Sequence, residues 1–152
     1  MLAHVLTAYW HFLGMMMLMA TLLAEHVTLQ PQMTRLHIQR LAMIDLFYGI
    51  TAGLVFLTGL LRFAYFGKGI HFYLGNPLFY LKVGMFLLVA LISIYPTMRF
   101  LAWRKMLKQG ELPALALPSI TRLRIVIRFE LGLLIVIPLL AVLMARGIGR
   151  TL

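Results

Sequence analysis

The sequence predicts an all-α integral membrane protein: a single domain folded as a four-helix up-down bundle. Three observations predict it. The 152 residues are 62% hydrophobic and only 12% charged, about half the charged share of a soluble domain. The mean hydropathy is +0.96. Four apolar stretches, residues 2–28, 41–66, 78–103 and 125–145, each reach the roughly 20 residues that a helix needs to cross a bilayer. Short connections make successive spans antiparallel neighbours.

The first span is too long for a signal peptide, has no basic leader and has no small-residue cleavage site before a soluble body, so it reads as part of the bundle. Pro31 ends it, and a short amphipathic stretch at 33–40 leads into the second span. A glycine-rich loop, 65–79, follows, and Asn76-Pro77 places a proline in the first turn of the third span. The linker 108–119 leads to the fourth, which Pro118 opens.

The net charge of +10 is distributed as topology rather than as a nucleic-acid surface. Arg35, Arg40, Arg99, Arg104, Lys105, Lys108, Arg122 and Arg124 fall on the side of the two long loops. Arg62, Lys68, Arg146 and Arg150 fall on the other side, with both termini. The positive-inside rule then sets the long loops in the cytoplasm of a bacterial inner membrane and both termini outside, with the excess charge drawn to anionic lipid. With no cysteine, disulfides, thiolate metal sites and iron–sulfur clusters are excluded.

A charged side chain at bilayer depth costs about 2.5–3.5 kcal/mol on insertion scales, so each one needs a reason. Sorted by depth, they form two groups. The outer group holds His4, His11, Arg62 and Lys82, with His71 in the adjoining loop, and contains no carboxylate. His4 and His11 are seven residues apart on one face of the first span. The inner group holds Glu25, His26, Asp45, Arg128 and Glu130. Its opposite charges suit an ion-pair network that fixes helix register.

Lys82 has no anionic partner at its depth, so it snorkels, becomes neutral or meets an anion from outside the sequence. Haem b would supply that anion: iron for His4 or His11, and propionates for Arg62 and Lys82. Zinc lacks a nearby carboxylate or thiol to complete its coordination. Met15, Met16, Met17 and Met19 read as adaptable packing. Gly14, Gly49, Gly53, Gly59, Gly84 and Gly132 put glycine in every span. Gly49 and Gly53 form a small-xxx-small pair, which fits close helix packing or space for a flat macrocycle.

The pattern resembles the HemJ-type protoporphyrinogen oxidases, small four-span bacterial membrane proteins associated with haem b. "HVLTAYWHFLG" supplies His4 and Gly14, "NPLFYLK" supplies Lys82, and "RIVIRFELG" supplies Arg128 and Glu130. The chain departs from that family in three places. His11 stands where a Trp is usual, Phe129 replaces the Asn of an Asn-Glu pair, and Tyr95-Pro96 replaces a Tyr-His. "IDLFYG", "GLLRFAYFGKG" and "FYLGNPLFYLK" look more like a sister family of four-span membrane proteins of unknown function.

The resemblance implies haem b held by His4, His11, Arg62, Lys82 and Gly14, with His4 or His11 on the iron. It further implies a redox role in which Lys82 holds a porphyrinogen carboxylate, membrane quinone takes the electrons, and Glu25, Asp45 and Glu130 move protons. The competing expectation is a non-enzymatic small transporter or accessory subunit, packed in a homo-oligomer or against a larger membrane complex.

Overall fold

A computed structural model describes residues 1–149; Arg150, counted above with the terminal side, lies outside the described residues. The elements run α1 (Leu2–Thr28), α2 (Arg35–Leu61), α3 (Ile70–Leu74), α4 (Pro77–Lys108) and α5 (Leu117–Ala145). A widened π-type turn, Arg62–Phe66, prolongs α2. The four long helices are long and apolar enough to cross a membrane, and the all-α four-helix bundle is the observed fold.

Each start has a local cause. Thr34 caps α2 in a capping box, its side chain accepting from the His37 N–H while the His37 ring accepts from the Thr34 N–H. Residues 35–40 are therefore the first turns of α2 and not a separate amphipathic lead-in. The Asn76 side chain accepts from Leu78 N–H at 2.9 Å to cap α4, with Pro77 just inside. Pro118 opens α5 as the sequence implies, two turns before the apolar run itself begins.

The helices form a square. α1 packs on α2, α2 on α4, α4 on α5 and α5 back on α1, while the diagonal pairs do not approach. At one end Arg35 donates to the Gly110 carbonyl at 2.8 Å, tying the two basic loops together. At the other, Asn76 Nδ2 donates to the Ile148 carbonyl at 3.0 Å and Lys68 Nζ to the Ala145 carbonyl at 3.4 Å, tying the 67–76 segment to the end of α5. These are called below the basic-loop end and the terminal end.

In lipid the outward apolar faces lose nothing by staying exposed, so close packing rather than water exclusion holds helix to helix. The tightest packing lies toward the basic-loop end, where Leu22, Leu41, Phe100, Leu123 and Ile127 are wholly buried. Met15 and Met19 pack against this core, whereas Met16 and Met17 face outward. Gly14 is a packing glycine: a Cβ there would stand 2.9 Å from Val55 Cγ2 and 3.5 Å from Leu54 Cδ2. Gly49 and Gly53 are not, since a Cβ at either meets nothing within 4 Å. Gly49 instead borders a cavity that Leu18 of α1 and Phe86 of α4 also line, and the small-xxx-small pair brings no helix of this chain into tight contact.

Candidate functional site

Two polar layers sit at different depths, as the sequence sorted them. In the outer layer, His11, Arg62 and Lys82 converge from α1, the end of α2 and α4, close enough for their charges to act on one another. Among the described residues none forms an ion pair. The two cations rest on aromatic faces instead. The Arg62 guanidinium lies 5.6 Å from the centre of the Phe12 ring, and Lys82 Nζ lies 5.4 Å from that of Phe79. Phe79 itself stacks on Phe63 at 5.2 Å and 12°, with Tyr73 against both. Such contacts are worth about 0.5–2 kcal/mol each and leave the N–H donors of both cations unspent.

His11 is held more closely. Its Nδ1 lies 3.0 Å from Thr58 Oγ1. The Thr58 hydroxyl spends its single hydrogen on the Leu54 carbonyl at 2.6 Å, with the Val55 carbonyl at 3.2 Å. Its oxygen is thus placed to accept from His11, whose ring also bonds to the Val55 backbone; in the tautomer with the proton on Nδ1, Nε2 is the nitrogen with the lone pair. An imidazole oriented through its other nitrogen is the usual arrangement of a metal-binding histidine.

The remaining outer residues do not join this group. His4 is exposed, edge-on to Phe66 at 5.2 Å. His71 is exposed on α3. Gly14 leaves no room for a flat ligand because Val55 and Leu54 fill the space beside it, and Gly59 abuts the His11 ring itself. The donor chemistry for haem b is present in His11, Arg62 and Lys82, but the cradle expected at Gly14 is not. Among the described residues no group of three or more His, Asp or Glu side chains could hold a metal ion.

The inner layer lies about four helical turns, or roughly 22 Å, further along α4. Here Glu25, Asp45 and Glu130 come from α1, α2 and α5, within electrostatic reach of one another and of the buried Tyr48. The ion-pair network that the sequence allowed does not form: no ion pair exists among the described residues. Arg128 turns outward, its Nε 3.5 Å from His26 Nε2, because a two-residue offset on α5 sends it away from Glu130. His37 is spent on the α2 cap, so it does not pair with His26. Between α2 and α4 the Thr97 hydroxyl donates to Asp45 Oδ1 at 2.7 Å.

Between the layers lies a cavity of about 210 Å³, bounded by Leu18, Tyr48, Gly49, Phe86, Ser93 and Thr97 among others. An open groove of about 350 Å³ runs along α1 and α2 on the outer half, lined by Leu6, Trp10, Leu54, Leu61 and the His11 partner Thr58. Thr58, Thr97, Tyr48 and Ser93 were not singled out from the sequence. Their spacing from the ionisable residues becomes visible only when the helices are set side by side.

Residues 3–149 match the profile of a family described as predicted membrane protein (DUF2214). The chain belongs to that family. This bears out the reading as a membrane protein family of unknown function and does not reach the HemJ-type oxidases specifically. No curated protein and no solved structure gives a significant match.

Proposed function

We propose that the protein binds an amphiphilic anionic ligand in the outer layer, with the negative group between Lys82 and Arg62 and the apolar body in the membrane. The carrying observation is the convergence of His11, Arg62 and Lys82 at one depth with no carboxylate among them. Cations that rest on rings while keeping their donors free are suited to a carboxylate brought by a partner. The apolar groove lined by Thr58 gives such a molecule an apolar surface one residue contact away from His11.

Haem b is the ligand to test first. His11 offers Nε2 to iron, and Lys82 and Arg62 would take propionates. Bound there, haem would supply one-electron chemistry. The narrower form of the reading is an oxidoreductase of the bacterial inner membrane that acts on a porphyrinogen or exchanges electrons with quinone, with Lys82 holding a carboxylate and Asp45 and Glu130 handling protons. The depth between the layers favours, for these carboxyls, proton exchange remote from the ligand over contact with it.

The test is an absorption spectrum of protein purified from a haem-replete host, oxidised and reduced. A Soret band that His11→Ala removes and His4→Ala preserves supports the reading; a wild-type protein without the band sinks its haem form. Lys82→Met should weaken hemin binding about tenfold or more through loss of the anion partner.

A second reading, a non-enzymatic transporter or accessory subunit in an oligomer, is favoured by one observation. α4 buries only 6% of its most apolar window, against 39% for the second span. Cross-linking in native membranes decides it: a strictly monomeric, partner-free chain counts against this reading.

A further inference from the structure

We propose that Glu25, Asp45 and Glu130 form one buried proton-binding site, filled from the basic-loop end through His26, whatever the outer layer binds. Glu130 is wholly buried and neither of its carboxyl oxygens has a hydrogen-bond partner. Glu25 is 1% exposed and its Oε1 is also without a partner. Asp45 is buried and keeps the Thr97 hydroxyl. Two nearly inaccessible carboxyls with free oxygens, facing a third, are not explained as structural hydrogen bonding, because the bonds are not made.

The groups facing this site can be named helix by helix. α1 brings Glu25 and the adjacent His26, α2 brings Asp45 and Tyr48, and α4 brings the hydroxyls of Ser93 and Thr97. α5 brings Glu130, with Arg124 and Arg128 nearer His26. No cation sits within ion-pairing distance of a carboxyl among the described residues. Carboxyl oxygens buried without a donor beside them lack the hydrogen bond that a bound proton would supply. Protons are the occupant that fits, since no group of three or more acidic or His side chains here is arranged to hold a metal ion.

The surroundings give the site a direction. His26 follows Glu25 in the chain, has a buried Nδ1 without a partner, and reaches Arg128 with its other nitrogen. It therefore stands between the carboxyls and the basic-loop end, with a ring that can take a proton on one side and release it on the other. On the opposite side, Tyr48 and Thr97 border the 210 Å³ cavity that leads toward Phe86, one turn from Lys82.

Infrared difference spectroscopy on the full chain in lipid vesicles tests this. The wild type should show a protonated-carboxyl carbonyl band at neutral pH that disappears at alkaline pH. Glu130→Gln and Glu25→Gln, both close in shape to the native residues, should each reduce it by about a third to a half, and a Glu25→Gln/Asp45→Asn/Glu130→Gln triple variant should lack it. His26→Ala should slow the response to a pH jump several-fold without changing its end point. A wild type with no such band at neutral pH, or with a band indifferent to pH, overturns the site. A band abolished by added sodium at constant pH overturns protons as the occupant, and an unchanged rate in His26→Ala overturns the entry route. Circular dichroism confirms in each variant that the helices are intact.

Discussion

Replacing Thr58 by valine tests whether His11 is positioned as a ligand. Valine keeps the shape and the buried apolar contacts of Thr58, which is only 7% exposed. It removes the oxygen that accepts from His11 Nδ1 at 3.0 Å. Two consequences are separable. The His11 ring loses its Thr58 partner at the α1–α2 contact and keeps its bond to the Val55 backbone, so the loss falls at or below the cost of a fully unsatisfied polar group, about 1–3 kcal/mol. The imidazole also loses the bond from Nδ1 that aims Nε2. Removal of such an orienting partner lowers metal affinity about 10- to 100-fold, equivalent to about 1.4–2.7 kcal/mol. Hemin titration of the purified protein, read by absorbance, measures the second effect, and thermal unfolding in detergent measures the first. Thr58→Ser should behave like wild type in both. If Thr58→Val binds hemin as tightly as wild type while His11→Ala does not, the hydrogen bond does not orient the ligand. If His11→Ala also binds unchanged, His11 is not the ligand at all.

Three further outcomes follow from the packing and the polar layers. Gly14→Ala should destabilise the bundle by about 1–2 kcal/mol, because overpacking of about 1–3 kcal/mol exceeds the gain from removing a helical glycine. Gly53→Ala, where a Cβ meets nothing within 4 Å, should be neutral or stabilising by about 0.5–1 kcal/mol. Thermal unfolding of the two variants side by side checks the contrast. Glu130→Met should raise thermal stability by about 1–3 kcal/mol while removing its share of the infrared band, since a wholly buried carboxyl without partners is replaced by a side chain of similar volume; a loss of stability would mean that Glu130 has a partner. Asn76→Ala removes both the α4 cap and the bond to the Ile148 carbonyl, so limited proteolysis should cut the segment after α5 faster, with a stability loss of about 1–2 kcal/mol. Unchanged protection would assign the order of that segment to other contacts.

The sequence alone determined the four spans, their antiparallel order and the two depths at which ionisable residues gather. The physical reason is one-dimensional: hydropathy needs only a window of residues, and depth along a helix is proportional to sequence distance from its end. Asn76-Pro77 and Pro118 were legible for the same reason, because caps and breakers act on their immediate neighbours. What faces what was decided only in the tertiary structure. Gly14 and Gly53 are alike in the sequence, yet one lies against Val55 and the other faces outward, because helix rotation is set by packing over the whole bundle. Glu130 and Arg128 lie within one turn of each other, but rotation buries the first and exposes the second, so the available opposite charges never meet. His11 was visible as a candidate, but its aim depends on Thr58, which comes from another helix and carries no signal of its own. Free-energy differences between such rotations arise from many small contacts summed across helices, and no local stretch of the chain contains them.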